Sequence, residues 1–218
     1  MSKKVAVILA GSGVFDGSEI HEAVVTLLAL DRAGADVQCF APDVPQLHVV
    51  NHLTGEVMED EQRNVLVEAA RIARGAVKNL KDASAADFDA LVIPGGFGVA
   101  KNLSDFAVKG PAMNVNPDLL ALGKAYRAAG KPVGLMCIAP ALAAAIFGEG
   151  VQCTIGTDAG TAEALTAMGA SHQAADVHSI VVDSANKLVT TPAYMLAGGI
   201  AEAASGIEKL VAEVLSMA

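Results

Sequence analysis

Residues 131–147, KPVGLMCIAPALAAAIF, admit few conformations. Four apolar residues run straight into Cys137, and Pro140 opens an alanine-rich stretch. Proline suits the first turn of a helix, where its missing N–H would have no partner in any case. Alanine is the strongest helix former. The segment therefore predicts a buried strand, a tight turn at Cys137 and a helix, which is the layout of a nucleophile elbow with sulfur in place of a hydroxyl. A thiol at a helix N-terminus feels the positive end of the dipole, which lowers its pKa and favours the thiolate. The other reading is a plain core cysteine, because free cysteine is among the most buried residue types.

The same strand–turn–helix rhythm recurs from the start of the chain. Residues 4–9 read as a buried parallel strand ending in the loop AGSGVF. Asp16 and Glu19 then form a capping box, with Phe15 and Ile20 as its hydrophobic staple, ahead of the helical run Val24, Leu27, Leu28 and Leu30. Glu22 lies one turn deeper and carries no capping duty. It either points toward the carboxyl edge of the sheet or is an ordinary solvated helix carboxylate. Residues 36–41 make a second strand. Residues 42–61 are irregular, with a hairpin joining 47–50 to 56–58 around His52; His48 and His52 read more readily as surface residues than as ligands. A helix follows over 64–74, then a strand over 91–93.

That strand ends in Pro94-Gly95-Gly96-Phe97-Gly98. Adjacent glycines leave their N–H groups bare, so the backbone can approach something closely and bind a developing oxyanion; a simple turn is the plainer reading. A phosphate loop and a dinucleotide fingerprint both fail, because no Lys-Ser/Thr pair and no G-x-G-x-x-G follow. Lys101 and Asn102, just past the glycines, are placed to face a pocket. Helices are expected over 116–129, 162–168 and 196–215, the last packed closely on the sheet through Gly198 and Gly199. Residues 151–155 are a strand, and 180–182 pairs with 188–190 as a hairpin.

This alternation, without linker or repeat, predicts an α/β fold formed as one domain over 1–218. Its sheet is doubly wound and mostly parallel, with helices on both faces and a small antiparallel addition. In such folds the site lies at the carboxyl ends of the strands, where the loops bearing Glu22, Gly95-Gly96 and Cys137 all emerge. An apolar content of 53% against 18% charged residues excludes disorder. A net charge of −9 without a basic cluster argues against nucleic acid and membrane partners. The start, MSKKVAVILAGSG, serves better as a first strand than as a signal peptide. Three widely spaced cysteines, Cys39, Cys137 and Cys153, show neither a disulfide framework nor metal-ligand spacing, so no metal is expected and a reducing cytoplasm is the simplest compartment.

The segments AGSGVFDGSEIHEAV, NHLTGE, ALVIPGGFG, GKPVGLMCIAPA, TIGTD and VTTPAYMLA, spread in order over nearly the whole chain, resemble the ElbB family (enhancing lycopene biosynthesis protein, isoprenoid biosynthesis glyoxalase). That family belongs to the PfpI-like superfamily of the class I glutamine amidotransferase-like fold. The resemblance implies a flavodoxin-like three-layer α/β/α sandwich, a homodimer, and a nucleophilic cysteine at Cys137. It implies Glu22 as the carboxylate that hydrogen-bonds the thiol, with Glu19 as its competitor, and Gly96 and Ile138 as backbone donors of an oxyanion hole. Gly95, Glu19, Lys101 and His52 are the candidate pocket residues. The chain departs from protease-type relatives, which place histidine directly after the nucleophile; here that position is Ile138, and neither His21 nor any other histidine lies in a motif that replaces it.

The resemblance implies a glyoxalase, and a thiol with a carboxylate and no histidine suits one that needs no cofactor. The Cys137 thiolate attacks one aldehyde of glyoxal, a small dicarbonyl substrate, Glu22 moves a proton between the carbons, and water releases glycolate. A thiol-based redox sensor or regulatory protein linked to isoprenoid biosynthesis is the alternative, since an exposed low-pKa thiol beside a carboxylate oxidises readily.

Overall fold

The apolar runs become strands whose side chains alternate between two buried faces. The computed structural model describes residues 2–218. Strand β1, Lys4–Ile8, is buried from its second residue on and leads into helix α1, Ile20–Arg32. Strand β2, Asp36–Ala41, pairs parallel with β1, Lys4 opposite Asp36 and Ile8 opposite Phe40. Helix α2, Val65–Ile72, strand β3, Val77–Asn79, and strand β4, Ala90–Ile93, follow. Two short helices, α3 (Phe97–Lys101) and α4 (Phe106–Lys109), precede the longer α5, Pro117–Ala128. Strand β5, Val133–Met136, leads through a 3-10 turn, Ala139–Leu142, into α6, Ala143–Phe147. The chain closes with β6 (Gln152–Cys153), α7 (Ala159–Ala167), β7 (Ser171–His172), β8 (Val181–Asp183), β9 (Leu188–Thr191) and α8 (Ile200–Met217).

Seven strands form one sheet in the order β3-β2-β1-β4-β5-β9-β8, parallel throughout except for β8, which runs antiparallel to β9. Val5, Val7 and Val92 face one side, where α1, α2 and α8 cover them with Leu30, Ala69, Ile207 and Leu210. Ile8, Leu91 and Ile93 face the other, under Leu119 and Tyr126 of α5 and Ile146 of α6. The result is the expected three-layer flavodoxin-like sandwich with its antiparallel addition. Gly134 sets the spacing on the α8 side: a Cβ there would stand 2.7 Å from Leu210 Cδ2.

Local details differ from the sequence expectation. Asp16 does not cap α1; its carboxylate accepts the Val50 N–H at 2.7 Å. Glu19 is the N-cap and accepts the Glu22 N–H at 2.7 Å. Phe15 and Ile20 are both exposed, so no staple forms. The hairpin over 47–58 reduces to one antiparallel bridge, Val50 to Val57. Strand β6 leaves the main sheet and pairs parallel with β7. The last helix starts later than expected: Pro192 leads into a 3-10 turn, Ala193–Met195, and α8 begins at Ile200. Gly199 has open space where a Cβ would sit, and the close approach to the sheet falls instead at Gly206, 2.6 Å from Thr191 Oγ1 on the same measure.

Candidate active site

After β1 the chain steps to β2 and β3 on one side, then returns to β4 on the other side of β1. This reversal is the switch point at which open α/β sheets form a crevice. The loops after β1 and β4 lock together there. Glu19 N–H donates to Gly95 O at 2.9 Å, Phe97 N–H to Val14 O at 2.8 Å and Gly98 N–H to Gly17 O at 2.8 Å. Gly96 holds φ +98°, in the left-handed region, and a Cβ there would strike the backbone of Gly17 and Glu19. The close approach anticipated for the glycine loop is therefore to the chain's own first loop.

Cys137 stands at the end of β5 with φ +59°, a rare conformation for a residue with a Cβ and the strained turn that an elbow requires. Its N–H donates to Thr191 O at 3.1 Å on the adjacent strand. The residue is 8% exposed; its sulfur accepts hydrogen bonds from the backbone N–H groups of Gly96 and Ile138 and pairs with the Glu22 carboxyl. Glu22 shares the buried stripe of α1 with Thr26 and Leu30, at four-residue spacing, which aims it at the sheet rather than at solvent. Its Oε2 accepts the Gly95 N–H at 2.8 Å and its Oε1 the Tyr194 N–H at 3.1 Å. Elements following β1, β4, β5 and β9 thus converge on one thiol–carboxyl pair. Gly95 leaves room for it: a Cβ at that position would stand 2.7 Å from Glu22 Oε2 and 2.9 Å from Cys137 Sγ.

The electrostatics differ from the dipole picture drawn from the sequence. Only a 3-10 turn and a five-residue helix follow Cys137, too short to carry a strong macrodipole. Burial raises the thiol pKa above its ordinary value, the Glu22 charge raises it further, and the Gly96 and Ile138 N–H groups oppose both. Burial also pushes Glu22 up to about 7, against the pull of the Tyr194 and Gly95 N–H groups. Two anions side by side in this space are unfavourable, so the pair retains a proton at neutral pH and titrates as a unit. With that proton on Glu22, the carboxylic acid donates to a thiolate already held by two N–H groups. With it on sulfur, Glu22 is a carboxylate base. The same proton thus serves both a nucleophile and a base.

A cavity of about 310 Å³ opens onto Cys137, with Gly96 and Ile138 at its floor. Glu19 lines it but caps α1 and does not bond the sulfur; Glu22, which does, lies behind the thiol. Lys101 and His52 stand outside the lining. Lys101 Nζ donates to Phe15 O at 2.8 Å. His52 Nε2 accepts the Phe15 N–H at 3.2 Å and stacks on the Phe15 ring. Both brace the first loop instead of facing the cavity. Tyr194, given no role from the sequence, is the residue that reasoning missed: its N–H holds Glu22, its side chain lines the cavity, and its hydroxyl lies 2.8 Å from His21 Nδ1. Its position just past a buried strand, Leu188–Thr191, was the available signal.

A sandwich with a cysteine elbow at its switch point narrows the fold without fixing a reaction. The DJ-1/PfpI family model matches residues 3–197, and the chain belongs to that family. It is 49% identical over 223 residues to the human glutamine amidotransferase-like class 1 domain-containing protein 3, mitochondrial, covering 98% of this chain and 83% of that protein. Among solved structures it is similar to an isoprenoid biosynthesis protein with amidotransferase-like domain from Ehrlichia chaffeensis, with a TM-score of 0.92, 37% identity and 99% of each chain covered. Glyoxalase III from Candida albicans shares the fold, with a TM-score of 0.63 at 17% identity over 99% of this chain and 97% of that one. No helix among the described residues is long and apolar enough to cross a membrane.

Proposed function

We propose that this chain is a glyoxalase of the ElbB branch of the family, one that converts glyoxal to glycolate through Cys137 without a cofactor. The observation that carries the reading is the buried Glu22 carboxyl, pushed up to about 7, in contact with the Cys137 thiol at the floor of an open cavity. Sulfur adds to one aldehyde carbon, and the Gly96 and Ile138 N–H groups, already aimed at the sulfur, lie close to where the oxygen of the hemithioacetal forms. As sulfur adds, the shared proton passes to the new oxygen and leaves Glu22 a carboxylate; Glu22 then removes the hydrogen on that carbon, returns a proton to the neighbouring carbon of the enediol, and takes up the hydroxyl proton as the thioester carbonyl forms. The product is a thioester of glycolate, which water cleaves to glycolate and free thiol. A base with a pKa near the working pH is the effective choice for such a transfer.

The human relative's name speaks of an amidotransferase-like domain, but amide chemistry expels an amine that must be protonated. Ile138 stands where protease-type relatives carry histidine, and His21 is bonded to Tyr194. Aldehyde addition needs no such leaving group. The test is turnover of glyoxal in heavy water with the product followed by NMR. Proton transfer through Glu22 predicts deuterium at the carbinol carbon of glycolate. Product carrying only the original hydrogens, with turnover undiminished in Glu22→Gln, indicates a direct hydride shift and removes Glu22 from the role of base. No product, with Cys137 oxidised rapidly by dilute peroxide, favours the redox sensor.

A further inference from the structure

We infer that the site is built for 2-oxoaldehydes bearing an uncharged, apolar substituent of several carbons, with glyoxal as a minimal substrate that leaves most of the cavity unused. The inference rests on the glyoxalase reading and extends it to substrate class. A cavity of about 150 Å³ suffices to hold benzene, whereas the space above Cys137 is about 310 Å³. It is large enough for a dicarbonyl head and a chain or ring of about six carbons.

The chemistry of the walls selects the substituent. Val14, Phe97, Ala100, Phe106 and Met195 surround the space, and its polar edge comes from Glu19, Thr161 and Tyr194. The acidic group on that edge is the Glu19 carboxyl, and none of the described residues lining the cavity is cationic. Lys101 stands behind the Phe97 wall, its ammonium 5.4 Å from the ring centroid and bonded to Phe15 O. A phosphate or carboxylate on the substrate would lose its hydration without gaining a partner and would face Glu19. An alkyl or aryl group loses nothing and gains burial. The polar end of the ligand is provided for separately: sulfur, Gly96 and Ile138 take the reacting carbonyl at the floor. The covalent steps stay as for glyoxal. Sulfur bonds to the aldehyde carbon, the hydrogen of that carbon leaves to Glu22, a proton enters at the carbon bearing the substituent, and water cleaves the thioester. The product is the corresponding 2-hydroxy acid, with thiol and carboxyl regenerated.

The experiment measures kcat/KM for glyoxal, methylglyoxal, propylglyoxal and pentylglyoxal, together with a carboxylate-ended analogue of the pentyl compound. The three alkyl compounds share one dicarbonyl reactivity, so differences among them report the cavity. Burial of each methylene predicts a rise of about fourfold, with the carboxylate-ended analogue falling below methylglyoxal. Ala107→Leu, which narrows the cavity from an exposed position on α4, lowers the pentylglyoxal-to-methylglyoxal ratio. Turnover of glyoxal with a flat or falling alkyl series overturns the substrate class and leaves the glyoxalase reading standing. Turnover of none of the compounds overturns that reading, and the inference with it.

Discussion

Replacing Glu22 with glutamine reads the cost of burying this carboxyl directly. The group moves from the usual 4.5 to about 7 on folding. The folded state therefore binds the proton more tightly than the unfolded state, and stability falls as pH rises between those two values. The full difference corresponds to about 3 kcal/mol, present as a penalty above pH 7 and absent well below pH 4.5. Glutamine has no such titration. Its oxygen replaces one carboxylate oxygen, but its NH₂ then faces the second of the two N–H donors, Gly95 or Tyr194. That mismatch costs about 1 to 3 kcal/mol at every pH. The variant is thus less stable than the native protein in acid, and the gap closes or reverses in mild alkali. Urea unfolding at about pH 5 and about pH 8 measures it: the stability difference moves by about 2 to 3 kcal/mol in favour of Glu22→Gln. Parallel pH profiles for the two proteins would refute the reasoning, because they would mean that the folded state does not hold this proton.

Gly95→Ala places a methyl group 2.9 Å from the sulfur and 2.7 Å from Glu22 Oε2, so the pair must separate; glyoxal turnover falls about 100-fold, the usual cost of a misplacement near 1 Å, while circular dichroism stays native. Tyr126 is fully buried and its hydroxyl has no hydrogen-bond partner among the described residues; Tyr126→Phe raises stability by about 1 kcal/mol in urea unfolding, and a loss of that size would show a partner for the hydroxyl.

The sheet was legible because parallel strands buried on both faces leave continuous apolar runs, as in residues 4–9, 91–93 and 133–136. Strands β3 and β7 were not, since Val77-Lys78-Asn79 is a half-buried edge and Ser171-His172 only two residues long. The elbow was legible from Cys137 and Pro140, and the glycine loop from its own composition. Three things about the site were invisible. Burial, which raises the pKa of Cys137 and Glu22, is a property of the assembled layers. The identity of the bonded carboxylate depended on where α1 begins: with Glu19 as the cap, Glu22 turns inward. Tyr194 reaches Glu22 across 172 positions of chain through its backbone N–H, a contact no local pattern encodes. Lys101 and His52 misled for the same reason, because closeness in sequence to a functional loop did not decide which side of that loop they brace.

The most direct test of the central claim is glycolate formation from glyoxal by the native protein and by Cys137→Ala, with neither glutathione nor metal added. The account predicts turnover by the native protein and none by the variant. Equal turnover by both, or none by a native protein whose thiol is intact, would contradict it.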